Sequence, residues 1–176
     1  MLLDQRAIIM FGANALLIYL SQLINSAMSV WPVYLFLLGP MVVLPALYLR
    51  HQSYFICTLI TGFWVDATLG APFGFFTSLF LVAGAFMFSI RIRVRPEHNY
   101  HPILLAHLLN LFFIAALTLG TGREYFGVAS FWIQVLTTLF CSHLALLVVA
   151  PWFFNLERQL FEICHLETEP EDLPRL

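Results

Sequence analysis

The sequence predicts an all-α integral membrane protein, a bundle of six transmembrane helices. Three observations carry that prediction. Of the 176 residues 61% are hydrophobic and only 10% charged, with a mean hydropathy of +0.87, which leaves too little charge to cover a water-facing surface. Apolar runs recur at roughly 7–24, 31–49, 54–69, 73–90, 102–120 and 128–154, each near the ~20 residues a spanning helix needs. Within the runs apolar residues are continuous, whereas barrel strands would alternate apolar with polar.

The first run, Ala7 to Ile24, is long enough to span, and no small-x-small cleavage site follows it; it reads as a retained first span and not as a cleaved signal. The second carries Pro32, Gly39, Pro40 and Pro45. Internal prolines remove backbone donors, so this span is expected to be bent or broken, with its freed carbonyls satisfied inside the bundle. The third and fourth runs are separated by Gly70, Ala71, Pro72 and Phe73, a tight turn that predicts an antiparallel hairpin. The fifth and sixth flank a short loop containing Arg123 and Glu124. Residues 1–156 thus read as a six-helix transmembrane domain. Residues 157–176, which hold Glu157, Glu162, Glu167, Glu169, Glu171 and Asp172, read as a short acidic tail that starts as a helical extension.

Orientation follows from arginine, because the chain has no lysine. With six spans, Arg6, Arg50, Arg91, Arg93, Arg95, Arg158 and Arg175 fall on one side and Arg123 on the other. The positive-inside rule makes the crowded side cytoplasmic, with both termini there. Arg91, Arg93 and Arg95 are also candidates for contact with anionic lipid headgroups, although setting topology alone accounts for them. A net charge of −2 argues against nucleic acid as a partner.

Few residues offer chemistry. Asp66 is the one acid in an apolar run, and a carboxylate at membrane depth costs at least ~2.5 kcal/mol. It reads either as a proton or ligand site or as a structural anchor. Its place one turn before Gly70 favours an anchor that caps backbone donors of the hairpin turn. His107 and Asn110 share a face of span five, and Ser142 and His143 lie in span six; inter-helix hydrogen bonding accounts for them better than a metal does, since a metal needs three or four converging ligands. Cys57, Cys141 and Cys164 form no CxxC pair and read as free thiols. The 18 phenylalanines read as packing and lipid-facing bulk, and Trp31, Trp64, Trp132 and Trp152 include several at span ends, as interfacial belts require. No P-loop, GxSxG or GxGxxG element occurs, so neither an enzyme nor a cofactor is expected.

The stretch Leu59 to Gly74, Leu-Ile-Thr-Gly-Phe-Trp-Val-Asp-Ala-Thr-Leu-Gly-Ala-Pro-Phe-Gly, resembles the signature region of the rod shape-determining protein MreD family. There a helix with Gly-x-x-x-Asp leads through a small turn to Pro-x-Gly and another helix. The matching residues are Gly62, Asp66, Pro72 and Gly74, with Gly70 in the turn, and Pro151 and Asn155 supply a Pro-x-x-x-Asn in the last span. Trp64 is bulkier than the Leu-type residue of that pattern, and the acidic tail is longer. The resemblance implies a bundle similar to the substrate-binding S-component of energy-coupling-factor vitamin transporters. It also implies a non-catalytic inner-membrane scaffold of the elongasome, the machinery of peptidoglycan biosynthesis that sets rod cell shape. Its expected partners are an MreC-like bitopic protein and, indirectly, an MreB-like actin and a RodA–transpeptidase complex. The rival reading is an S-component itself. The short, polar-poor loops at 25–30, 70–73 and 121–127 weaken it, and Ala13-Asn14-Ala15 lacks the Ala-x-x-x-Ala spacing of a docking motif. A small intramembrane enzyme is the third reading, resting on Asp66 alone.

Overall fold

A computed structural model describes residues 4–31, 33–91 and 100–166. The described residues form six α-helices: α1 (Gln5–Ala27), α2 (Pro40–Tyr48), α3 (His51–Leu69), α4 (Phe75–Ile90), α5 (Tyr100–Thr121) and α6 (Ala129–Ile163). A single 3₁₀ turn, Arg123–Tyr125, joins the last two. Three of the helices, α1, α5 and α6, are long and apolar enough to cross a membrane, and α4 is a shorter apolar helix. Large side chains on the outside of α6 recur at helical spacing: Ile133, Leu136, Phe140, Leu144, Leu147 and Val148 are all exposed. Such a stripe is untenable in water and suits lipid, so the architecture is that of a helical membrane protein.

Helix α1 starts where the Asp4 carboxylate accepts a hydrogen bond from the Arg6 amide at 3.1 Å, an N-cap that satisfies one of the orphan donors of the first turn. Its buried face runs Met10, Ala13, Asn14, Leu17, Ser21 and Asn25, the spacing of one helical side. Polar residues sit on that face because they have work inside the bundle.

The second apolar run is broken, as its prolines predict. Residues 33–38 are non-helical and α2 begins only at Pro40, where a missing N–H is harmless at the first helical position. Helix α2 is the centre of the fold. It touches every other helix, and each residue from Pro40 to Leu47 is buried.

Chain direction alternates between two ends. At one, the Arg50 end, the Arg91 guanidinium donates to the Leu49 carbonyl at 3.0 Å, and Tyr48 meets Phe161 edge-on at 6.2 Å. This end gathers the start of α1, the ends of α2, α4 and α6, and the starts of α3 and α5. Arg6, Arg50, Arg91 and Arg158 therefore lie there, and Arg123 lies at the other, the Gly70 end. Arg93, Arg95, Arg175 and most of the acidic tail fall outside the described residues. Helix α6 continues past the predicted apolar run to Ile163. Its 35 residues measure about 52 Å, so one end projects well beyond a bilayer core.

Candidate functional site

The most extensive helix pair is α3 with α4, and Asp66 organises it. The side chain is 3% exposed. Its Oδ2 accepts hydrogen bonds from the Gly74 amide at 2.9 Å, the Thr77 amide at 3.3 Å and the Thr77 hydroxyl at 2.6 Å. Its Oδ1 accepts from the Phe76 amide at 2.7 Å. These amides belong to the first turn of α4, whose N–H groups have no partner within the helix. Asp66 thus caps a helix from a neighbouring helix, and its negative charge faces the positive end of the α4 dipole. Four donors converge on the carboxylate, three on Oδ2 and one on Oδ1, against about four acceptor positions shared equally between the two oxygens.

The glycines around Asp66 make this geometry possible. Gly70 and Gly74 hold φ of 65° and 89°, left-handed conformations that other residues adopt at a cost. Between them the Phe75 amide donates to the Pro72 carbonyl at 3.0 Å. One turn before Asp66, a Cβ on Gly62 would stand 2.7 Å from the Thr77 Cα, so only glycine lets α3 and α4 approach this closely. At the other end of the pair, Tyr54 packs on Gly84 and its hydroxyl donates to the Phe80 carbonyl at 3.2 Å. The five residues Gly62, Asp66, Gly70, Pro72 and Gly74 form one local structure. Thr77 belongs to it too, and its partnership with Asp66 across eleven positions left no mark in the sequence.

A second polar system holds the broken segment. Asn25 of α1 receives the Leu35 amide at 2.7 Å and donates back to the Leu35 carbonyl at 3.0 Å. Ser142 of α6 accepts from the Phe36 amide at 3.0 Å. Asn110 of α5 accepts from the Leu38 amide at 3.0 Å and the Gly39 amide at 3.4 Å. Three helices thereby supply what a helix would have supplied itself. Asn110 shares a helix face with His107, yet the two serve different partners. His107 and His143 bond through their Nδ1 atoms at 2.9 Å across α5 and α6, one ring donating and the other accepting. Among the described residues no group of three or more His, Cys, Asp or Glu side chains is placed to hold a metal.

Two hollows adjoin at the Gly70 end. One of about 610 Å³ is lined by Thr121, Tyr125, Ser130, Gln134 and Thr137. The other, about 310 Å³, is lined by Tyr34, Phe36, Thr118, Gln134 and Thr138. Their polar groups come mostly from the ends of α5 and α6, which is why a survey of loop composition misses them. At the Arg50 end, Pro151 and Asn155 line a hollow of about 370 Å³ with Tyr48 and Arg158. Arg91 is engaged with the bundle: besides Leu49 it lies over the Phe88 ring, 5.8 Å from its centroid.

No protein-family model, curated protein or solved structure matches the chain. Function is therefore argued from the residues themselves.

Glu157 is the largest difference from the sequence reading, which put it at the start of an acidic tail. It is 0% exposed, within α6. The signal was present: Ala150, Phe153, Phe154, Glu157 and Phe161 repeat at helical spacing, which places Glu157 on the buried face of a helix that continues past the apolar run.

Proposed function

We propose that the chain is a non-catalytic scaffold of bacterial cell-wall elongation, seated in the inner membrane and acting by binding a single-span, MreC-like partner. The observation that carries the reading is the engagement of both Asp66 oxygens by α4. The one acid of the signature-like stretch spends its acceptor positions on the Gly74, Phe76 and Thr77 donors. That suits a residue that fixes a hairpin, with both of its oxygens held by the first turn of the neighbouring helix. A scaffold needs a fixed helical surface to present, and the α3–α4 pair is the most extensive helix pair of the bundle.

In this reading the chain crosses the membrane six times, the broken segment with α2 forming the second crossing, and both termini are cytoplasmic. Gathering Arg6, Arg50, Arg91 and Arg158 at one end supports that orientation. Reporter fusions at Arg95 and Leu176 should both read cytoplasmic; a periplasmic signal at either overturns the crossing count. Depletion in a rod-shaped bacterium should give rounded, widening cells, and the detergent-solubilised protein should co-purify with the single-span partner. Normal rods after depletion reject the proposal.

The hollows at the Gly70 end favour one alternative, the S-component of a vitamin transporter, because their combined size and mixed hydroxyl, amide and aromatic lining fit a small-molecule site. Tight retention of a vitamin by the purified protein, lost in Gln134→Leu, together with normal cell shape after depletion, would select it.

A further inference from the structure

Near the Arg50 end α6 turns the face Ala150, Phe153, Phe154, Glu157 and Phe161 into the bundle. Four of these five are apolar, and the fifth is a carboxyl group with no solvent exposure. Neither of its oxygens has a hydrogen-bond partner. Cys57 of α3 and Tyr48 of α2 lie within electrostatic reach. The buried face of α1 at this end is Ala7, Met10, Ala13 and Asn14, none of them titratable. Arg158, next in the chain, is exposed, and neither it nor Arg6 bonds the carboxyl.

An ionised carboxylate in such a place has no hydrogen bond to offset its burial. Buried charges in proteins pair, coordinate a cation or give up their charge. The surroundings point the same way. Asn14 uses its amide nitrogen on the Met41 carbonyl and Thr61, which leaves its Oδ1 without a partner, and Thr58, beside Cys57, has an unpaired Oγ1. Both of these oxygens can accept a hydrogen bond, which an ionised carboxylate cannot give. A proton on Glu157 neutralises the acid and supplies a donor at once.

We propose that Glu157 is a proton-binding site that latches the Arg50 end of α6 onto α1 and α2. In the closed bundle it is a neutral carboxylic acid. When this end opens, the O–H bond breaks, the proton passes to water, and the carboxylate that remains is hydrated. Occupancy of the site by a proton is thereby coupled to closure of the Arg50 end of α6. The inference does not depend on the partner or pathway proposed above.

Two measurements on the full chain in lipid nanodiscs test it. In infrared spectra at neutral pH, wild type uniformly labelled with ¹³C-glutamate should show a protonated-acid C=O band that moves with the label and with deuterium exchange. The band should be absent from Glu157→Gln, which keeps the shape of the neutral acid and should therefore fold. Maleimide modification, read by mass spectrometry, gives the second measurement. The buried Cys57 reports opening and the exposed Cys164 normalises for thiol ionisation. In wild type the Cys57-to-Cys164 ratio should rise severalfold over the pH range in which the band disappears, and in Glu157→Gln it should stay low. The proposal is overturned by a missing band at neutral pH, by a band that survives in Glu157→Gln, by failure of that variant to accumulate, or by ratios that rise alike in both proteins.

Discussion

Replacing Asp66 separates an anchor from an active group, because two substitutions of similar size remove different numbers of its bonds. In Asp66→Asn the amide oxygen can take the position of Oδ2 and keep the Gly74 and Thr77 donors. The amide NH₂ then faces the Phe76 amide, donor against donor. One buried donor without a partner costs about 1–3 kcal/mol, and loss of the charge at the α4 N-terminus adds about 0.3–1 kcal/mol. In Asp66→Leu all three amides and the Thr77 hydroxyl lose their acceptor. Gly74 is only part-buried and water can reach it; Phe76 and Thr77 are buried and carry most of the penalty. Their three donors, the two amides and the hydroxyl, give about 3–9 kcal/mol at the same per-group range, a large part of the stability of a domain. Thermal unfolding in detergent, followed by size-exclusion chromatography, should rank wild type above Asp66→Asn and that variant well above Asp66→Leu. Cell-shape rescue should follow the same order. If both variants accumulate and unfold like wild type yet neither rescues shape, the charge itself is functional and the anchor argument is wrong.

Three further substitutions probe the packing. Gly62→Ala puts a methyl group against the Thr77 backbone and should lower stability by about 1–3 kcal/mol through overpacking; an unchanged melting curve would mean α3 and α4 are less tightly apposed. Asn110→Leu strands the Leu38 and Gly39 amides and should lower stability by about 2–4 kcal/mol, with backbone hydrogen exchange at Leu38 rising in step; slow exchange there would contradict it. A double-mutant cycle on His107→Ala and His143→Ala should return a coupling of about 0.6 kcal/mol, the average for inter-helix bonds in a membrane protein; zero coupling would remove the pair from the α5–α6 contact.

Much of this architecture was readable before any coordinates, for a physical reason. Lipid demands long uncharged runs and penalises unpaired backbone, so helix positions and the break at Gly39 and Pro40 are written in composition. Asp66 was legible because an acid in an apolar run needs an explanation and Gly70 and Pro72 stood beside it. What stayed hidden were partnerships across the chain. Thr77, Asn25 and Ser142 are ordinary polar residues in sequence, and their roles exist only once helices are neighbours. Glu157 reads as the head of an acidic tail by its charge, while the phenylalanines around it carry the helical repeat past the end of the apolar run and turn it inward.

The broken segment has a consequence for how the chain is made. Its amides are received by Asn110 and Ser142, which follow it by 72 and 106 positions. A ribosome delivers residues 33–39 to the membrane long before either acceptor exists. Until α5 and α6 arrive, that stretch must stay in water, in the insertion machinery, or in a temporary helix that is later unwound. Assembly is therefore gated by the last two helices, and a stop codon after α4 should leave a product that enters the membrane but never matures.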